Sequence, residues 1–148
     1  MFARRMITGL CSLILLGCAG QVTEYRPHAV DPGVMQGVKS YEAAYNRADW
    51  KSIADLFHED GLIVVEKEDA GLFSHREFRK KQFQEVFPQT AKRFPLMTLG
   101  EPYVHIILDS KDKAVMELTS RFGDQKIPTK FSFMLVQGRW QIWKIRYH

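Results

Sequence analysis

The chain has 148 residues, of which 45% are hydrophobic and 26% charged, and its formal net charge is +4. That length suits one domain with a real core and is short for two, and the balance of apolar to charged residues excludes a disordered or fibrous protein. So modest a charge, with no concentrated basic face, excludes nucleic acid as an expected partner.

The first five residues contain Arg4 and Arg5 and no acid, and an apolar run follows from Met6 to Leu16. A charged start with a short apolar core is the layout of a secretory signal. The run is eleven residues long, whereas a helix needs about 20 to span a bilayer, so a cleaved signal is favoured over a permanent span. At its end stand Leu15, Leu16, Gly17 and Cys18, a quartet that resembles the lipobox of bacterial lipoproteins. The resemblance implies cleavage after Gly17, a diacylglycerol thioether on Cys18 and acylation, for example by palmitate, of the freed amine. Residues 1–17 are then the signal peptide, and Cys18 anchors the chain to a lipid membrane. Several acyl chains, each buried CH₂ contributing about 0.8 kcal/mol, hold firmly where a single chain is marginal. Ala19, rather than an aspartate, follows the cysteine, which by the same resemblance implies the outer membrane of the bacterial envelope, facing the periplasm.

Loss of the signal leaves 19 basic against 17 acidic residues, or +2. Cys11 leaves with it and Cys18 carries lipid, so the mature domain has no thiol for a disulfide, a zinc site or a nucleophile. Residues 18–32 hold Gly20, Pro27 and Pro32 without apolar periodicity and read as a lipidated tether reaching about 45 Å at roughly 3.3 Å per residue. The domain is expected over 33–148.

Val34, Val38, Tyr41 and Tyr45 recur at helical spacing and predict an amphipathic first helix. Asp49 is placed to cap a short second helix with Trp50, Ile53, Leu56 and Phe57 turned inward, ended by Asp60-Gly61. Leu62–Glu66 is strand-like. Ser74 and Glu77 have the spacing of a capping box, predicting a third helix that carries Phe78, Phe83, Val86 and Phe87 until Pro88 stops it. Four long alternating strands are then expected, at about 97–108, 114–122, 127–136 and 139–147.

The last hairpin decides which side chains face inward. A three-residue loop over 136–138, with Gly138 left-handed, pairs Leu135 with Arg139. Phe131, Phe133 and Leu135 then share the inner face with Gln141, Trp143, Ile145 and Tyr147, joined by Met116, Leu118 and Phe122. Met134, Trp140 and Ile142 fall on the outer face among Glu117, Arg121, Lys130 and Lys144. A two-residue turn reverses that pairing and mixes polar with apolar, so the longer loop is expected.

This order of elements, with the segment 41–61 and the terminal Gly138, Trp140 and Ile142, resembles the nuclear transport factor 2-like superfamily. The resemblance implies an α+β fold in which a curved antiparallel sheet packs on three N-terminal helices and forms a cone with a pocket at its open end. It also implies that Tyr41 and Tyr45 face Phe131, Phe133, Trp143 and Tyr147 across that pocket, as its ligand-binding residues.

Three classes of function stay open. An isomerase, dehydratase or hydrolase needs a desolvated carboxylate or histidine; Asp60, Glu66, His75 and His105 are the candidates, with Asp60 and His75 foremost. Each has an ordinary structural role, Asp60 as a turn former, His75 as an exposed residue of a helix's first turn, and His105 as an outward strand residue. The apolar inward positions favour instead a non-catalytic module that binds a small apolar or aromatic ligand or a protein partner, although a filled core has the same composition. Finally, an exposed cluster of Met134, Trp140 and Ile142 is an expected homodimer interface, as relatives commonly dimerise through this face. No metal-ligand spacing, phosphate loop or nucleophile elbow is present, so neither metal nor cofactor is expected.

Overall fold

Asp31 opens the first helix, α1 (Pro32–Asn46), its carboxylate accepting the Gly33 N–H at 2.7 Å. Pro32 takes the first helical position, where a missing N–H costs nothing. The computed structural model describes residues 31–69, 72–100 and 107–148; Cys18, the expected signal and tether, and His105 lie outside them. The stripe read from the sequence is the buried face of α1: Val34, Val38, Tyr41 and Tyr45 are all in the core. Asp49 caps α2 (Trp50–Leu56) as expected, accepting the Ser52 N–H at 3.0 Å.

The next two expectations are corrected. Helix α2 ends at Leu56, and β1 (Phe57–Asp69) continues through Asp60-Gly61, where its register with the last strand shifts between Phe57 and Leu62. The glycine serves close approach there, since a methyl group on Gly61 would stand 2.8 Å from the His58 carbonyl oxygen. Ser74 and Glu77 do not cap a helix but lie in β2 (Leu72–Arg79), where Glu77 pairs with Val64 and Ser74 with Lys67. Pairing with the valine-rich β1 satisfies backbone groups that a capping box would otherwise serve. The helix starts later: the Gln82 side chain accepts the Arg79 N–H at 2.9 Å, a 3-10 turn covers Lys80–Gln82, and α3 spans Phe83–Arg93. Pro88 lies inside α3 rather than at its end. The lost hydrogen bond is offset by burial of Phe83 and Phe87 on one face.

After α3 come β3 (Thr98–Leu99), β4 (Ile107–Ser110), β5 (Lys113–Phe122), β6 (Gln125–Val136) and β7 (Arg139–Tyr147). The described part of the expected strand over 97–108 is thus two short pieces, both paired with β5. The sheet runs β2-β1-β7-β6-β5-β3, with β4 also on β5. Neighbours are antiparallel except β1 and β7, which are parallel. The sheet is curved and unclosed, and the three helices pack against it in the expected α+β cone. Its core includes Tyr41, Phe57, Phe83 and Phe131, each at most 1% exposed and each contributing about 1.5–3 kcal/mol by burial.

The last hairpin departs from expectation in its turn and agrees in its purpose. Val136 pairs with Arg139 across a two-residue turn, Gln137 and Gly138, with φ of 50° and 75°. Both residues are left-handed, the conformation that matches the twist of the flanking strands. Segregation of polar from apolar is restored by a bulge: Phe133 pairs with Ile142 but Ser132 pairs with Lys144, leaving Trp143 as the extra residue. Ile142 is therefore buried at 1% exposure, and Trp143, expected inside, is 38% exposed. Trp140 lies against the start of α1, where a methyl group on Gly33 would stand 2.8 Å from its Cδ1.

Candidate functional site

Hydrogen bonds hold the C-terminal end of α1 against the segment that follows α3. The Tyr45 hydroxyl donates to the Phe94 carbonyl at 2.7 Å, and Asn46 both donates to the Met97 carbonyl and accepts the Met97 N–H, each at 2.8 Å. Between this braced corner and the sheet lies a cavity of about 150 Å³. Ile63 and Val65 of β1, Phe78 of β2, Phe83, Val86 and Thr90 of α3, Phe94, Phe122, Ile127, Tyr45 and Tyr147 form its wall. The spacing of Phe83, Val86 and Thr90 puts them on one helical face, and Ile63 and Val65 alternate onto one side of the sheet.

The polar groups of the wall are hydroxyls. Tyr45 is committed to Phe94, and Thr90 donates to the Val86 carbonyl at 3.0 Å. Tyr147 is 3.1 Å, hydroxyl to hydroxyl, from Tyr41, which stands behind the wall with no exposure. Burial pushes the Tyr45 phenol up to about 12. It holds Tyr147 well above the usual phenol range, and Tyr41 likewise, where the neighbouring Tyr147 adds to the effect. All three are neutral donors at physiological pH. Among the described residues no carboxylate, histidine, lysine or arginine lines the cavity, and no group of His, Cys, Asp and Glu is arranged to hold a metal ion.

Of the expected ligand-binding residues, Tyr45 and Tyr147 line this cavity and Tyr41 supports it. Phe131 and Phe133 are buried instead, their rings 6.1 Å apart and stacked, and Trp143 is on the outside of the sheet because of the bulge. Asp60 is exposed near the start of β1, and His75 lies on β2 between Glu66 Oε1 at 3.6 Å and Glu77 Oε1 at 3.1 Å. Neither lines the cavity, nor does Glu66, whose other oxygen is 3.0 Å from His148 Nδ1. The other wall residues, Ile63, Val65, Phe78, Phe83, Val86, Thr90, Phe94, Phe122 and Ile127, are not among the expected ligand contacts, because apart from Thr90 they have only the apolar character that any core residue has.

Two other concavities differ in character. A broad, open groove of about 1100 Å³ runs between α1, α2 and the tip of the last hairpin, lined by Asp31, Lys39, Arg47, Asp55, Arg139 and Trp140 among others. It is the larger, but the smaller cavity is the one whose wall is almost wholly apolar. On the outer sheet face, Trp143, Met134 and Val115 border a dimple of about 180 Å³, with Lys144 Nζ 5.0 Å from the indole centre. The expected outer cluster is corrected accordingly: Ile142 is in the core, Trp140 is under α1, and Met134 is joined by Trp143.

The sequence matches no family model and no curated protein. Solved structures do match in fold. An NTF2-like protein of unknown function from Shewanella baltica is 13% identical, with 78% of this chain and 90% of that one covered and a TM-score of 0.59. An NTF2-like protein with a cystatin-like fold from Novosphingobium aromaticivorans is 16% identical, with 78% of each chain covered and a TM-score of 0.60. A de novo designed protein with a curved β-sheet is 14% identical, covers 78% of this chain and 98% of its own, and has a TM-score of 0.52. The chain therefore has the NTF2-like cone fold. At such identities the likeness concerns the path of the backbone, and function rests on the site.

Proposed function

We propose that this protein is a non-catalytic binding module, held by lipid on Cys18 at the periplasmic side of a bacterial outer membrane, whose cone cavity takes a small apolar or aromatic ligand. The observation that carries the reading is the wall: aliphatic and aromatic side chains, with the Tyr45 and Thr90 hydroxyls committed to backbone carbonyls and no charged group among the described residues that line it. An engineered cavity of similar size in another protein binds benzene, which sets the scale of the group this one holds. General acid–base catalysis needs an ionisable group within reach of the substrate, and Asp60 and His75 are elsewhere. The Leu15–Cys18 quartet supports the anchor, and the exposed Trp143 beside Met134 and Val115 supports association with a second copy through the outer face.

The test is native mass spectrometry of gently purified full-length protein, alongside Val86→Phe, which fills the cavity from α3. A non-covalent apolar adduct on the wild type, absent from the variant, is expected. Wild-type protein that arrives empty and gains no thermal stability from any of a panel of small aromatic compounds would overturn the reading.

A further inference from the structure

Tyr41 and Tyr147 carry one hydroxyl hydrogen more than they use. Each phenol has one hydrogen to donate, and the pair shares one hydrogen bond, 3.1 Å long. Neither hydroxyl has another hydrogen-bond partner among the described residues. Tyr41 is 0% and Tyr147 9% exposed, and a buried donor left without an acceptor is costly. The aromatic rings of Phe57, Phe87 and Phe131 surround Tyr41 edge to face, with centroids 5.6–6.4 Å away. They offer no acceptor oxygen. Tyr147 lines the cavity, whereas Tyr41 does not.

We infer that Tyr41 donates to Tyr147 and that Tyr147 donates its own hydrogen into the cavity, to an acceptor oxygen on the buried end of a neutral, mostly hydrocarbon ligand. This inference rests on the cavity being a binding site and names the chemistry it selects. The donor's hydrogen bond from Tyr41 polarises it, which strengthens the one it gives. An anionic oxygen is disfavoured because no cation among the described residues lines the wall and transfer of a charge into apolar surroundings is expensive. Burial keeps both phenols protonated, hence able to donate. The class is a small ketone, ester or ether on an apolar body rather than a bare hydrocarbon or a carboxylate.

The experiment compares acetophenone with α-methylstyrene, a probe of the same shape with a CH₂ group in place of the carbonyl oxygen. Because the two differ in hydration, the reading is the change in their affinity ratio between full-length wild type and Tyr147→Phe. Acetophenone is expected to weaken about tenfold in the variant while α-methylstyrene holds or improves. The infrared carbonyl stretch of bound acetophenone should lie lower in the wild type than in the variant. Should Tyr147→Phe not fold, the wild-type stretch alone decides, against that of acetophenone in a hydrocarbon solvent; coincidence of the two overturns the inference. If both probes bind and their ratio does not change, the inference fails and the binding reading stands. If neither probe binds the wild type, the binding reading fails and takes the inference with it.

Discussion

Phe133 pairs with Ile142, one residue out of step with the neighbouring pair of Ser132 and Lys144, and the residue left over is Trp143. That single extra residue lets the hairpin close on a tight two-residue turn and still turn Ile142, Ile145 and Tyr147 inward.

The bulge predicts opposite behaviour for adjacent residues. Ile142→Ala removes a fully buried side chain and should destabilise the domain by about 2–5 kcal/mol in denaturant unfolding. Trp143→Ala removes a side chain that is 38% exposed and should cost about 1 kcal/mol or less. In sedimentation the same Trp143→Ala change should shift any dimer toward monomer, since an aromatic anchor on an interface commonly carries much of its energy. A wild type that stays monomeric at high concentration rejects the outer face as an interface.

The turn itself is a place to gain or lose stability. Gly138 has φ of 75° and Gln137 has φ of 50°, a region that costs a residue with a Cβ about 1–2 kcal/mol. Gly138→Ala should lower the melting temperature by about 4 °C or more. Gln137→Asn, with a side chain that tolerates this region, should raise it. Equal melting temperatures for all three proteins would show that the turn is not held in this form.

Alkaline pH should unfold the domain through its tyrosines. Burial raises the phenols of Tyr41, Tyr45 and Tyr147 above their ordinary value of 10.0, Tyr45 to about 12. A raised phenol favours the neutral form in the folded state, so its contribution is fully present below the unfolded value, near pH 10, and is lost as pH climbs toward the folded one. Stability should be level from neutral pH to about 9 and then fall, by up to about 1.4 kcal/mol per pH unit for each such tyrosine. Phenolate absorbance should rise together with the loss of tertiary circular dichroism, and Tyr41→Phe should make the fall less steep. Full ionisation of every tyrosine near pH 10 without unfolding would contradict the burial of this cluster.

Lipidation is tested at its own residue. Palmitate labelling of cells should mark the wild-type chain, and Cys18→Ser should abolish the label and leave an unprocessed precursor. Label that persists in Cys18→Ser would place the modification elsewhere or show that none of this kind occurs at Cys18.

Local signals were legible in the sequence where one residue or one periodicity suffices. Asp49 caps α2 because a carboxylate before a helix satisfies its free N–H groups wherever the helix packs. Val34, Val38, Tyr41 and Tyr45 lie on the buried face of α1 because 3.6-residue periodicity leaves them no other common side. Ser74 and Glu77 have a helix-start pattern too, but their backbone found partners in β1, and strand pairing between distant residues is a tertiary event that local spacing does not report. The bulge at Trp143 is decided the same way. Alternation alone made the tight turn look wrong, because one inserted residue inverts every face beyond it, and only the packing of Ile142 and Phe133 against the helices selects where it goes. The cavity goes one step further. Its wall residues have the composition of a filled core, and whether aromatic side chains meet or leave about 150 Å³ between them is set by the placement of α3 against the curved sheet, a difference of ångströms in tertiary packing.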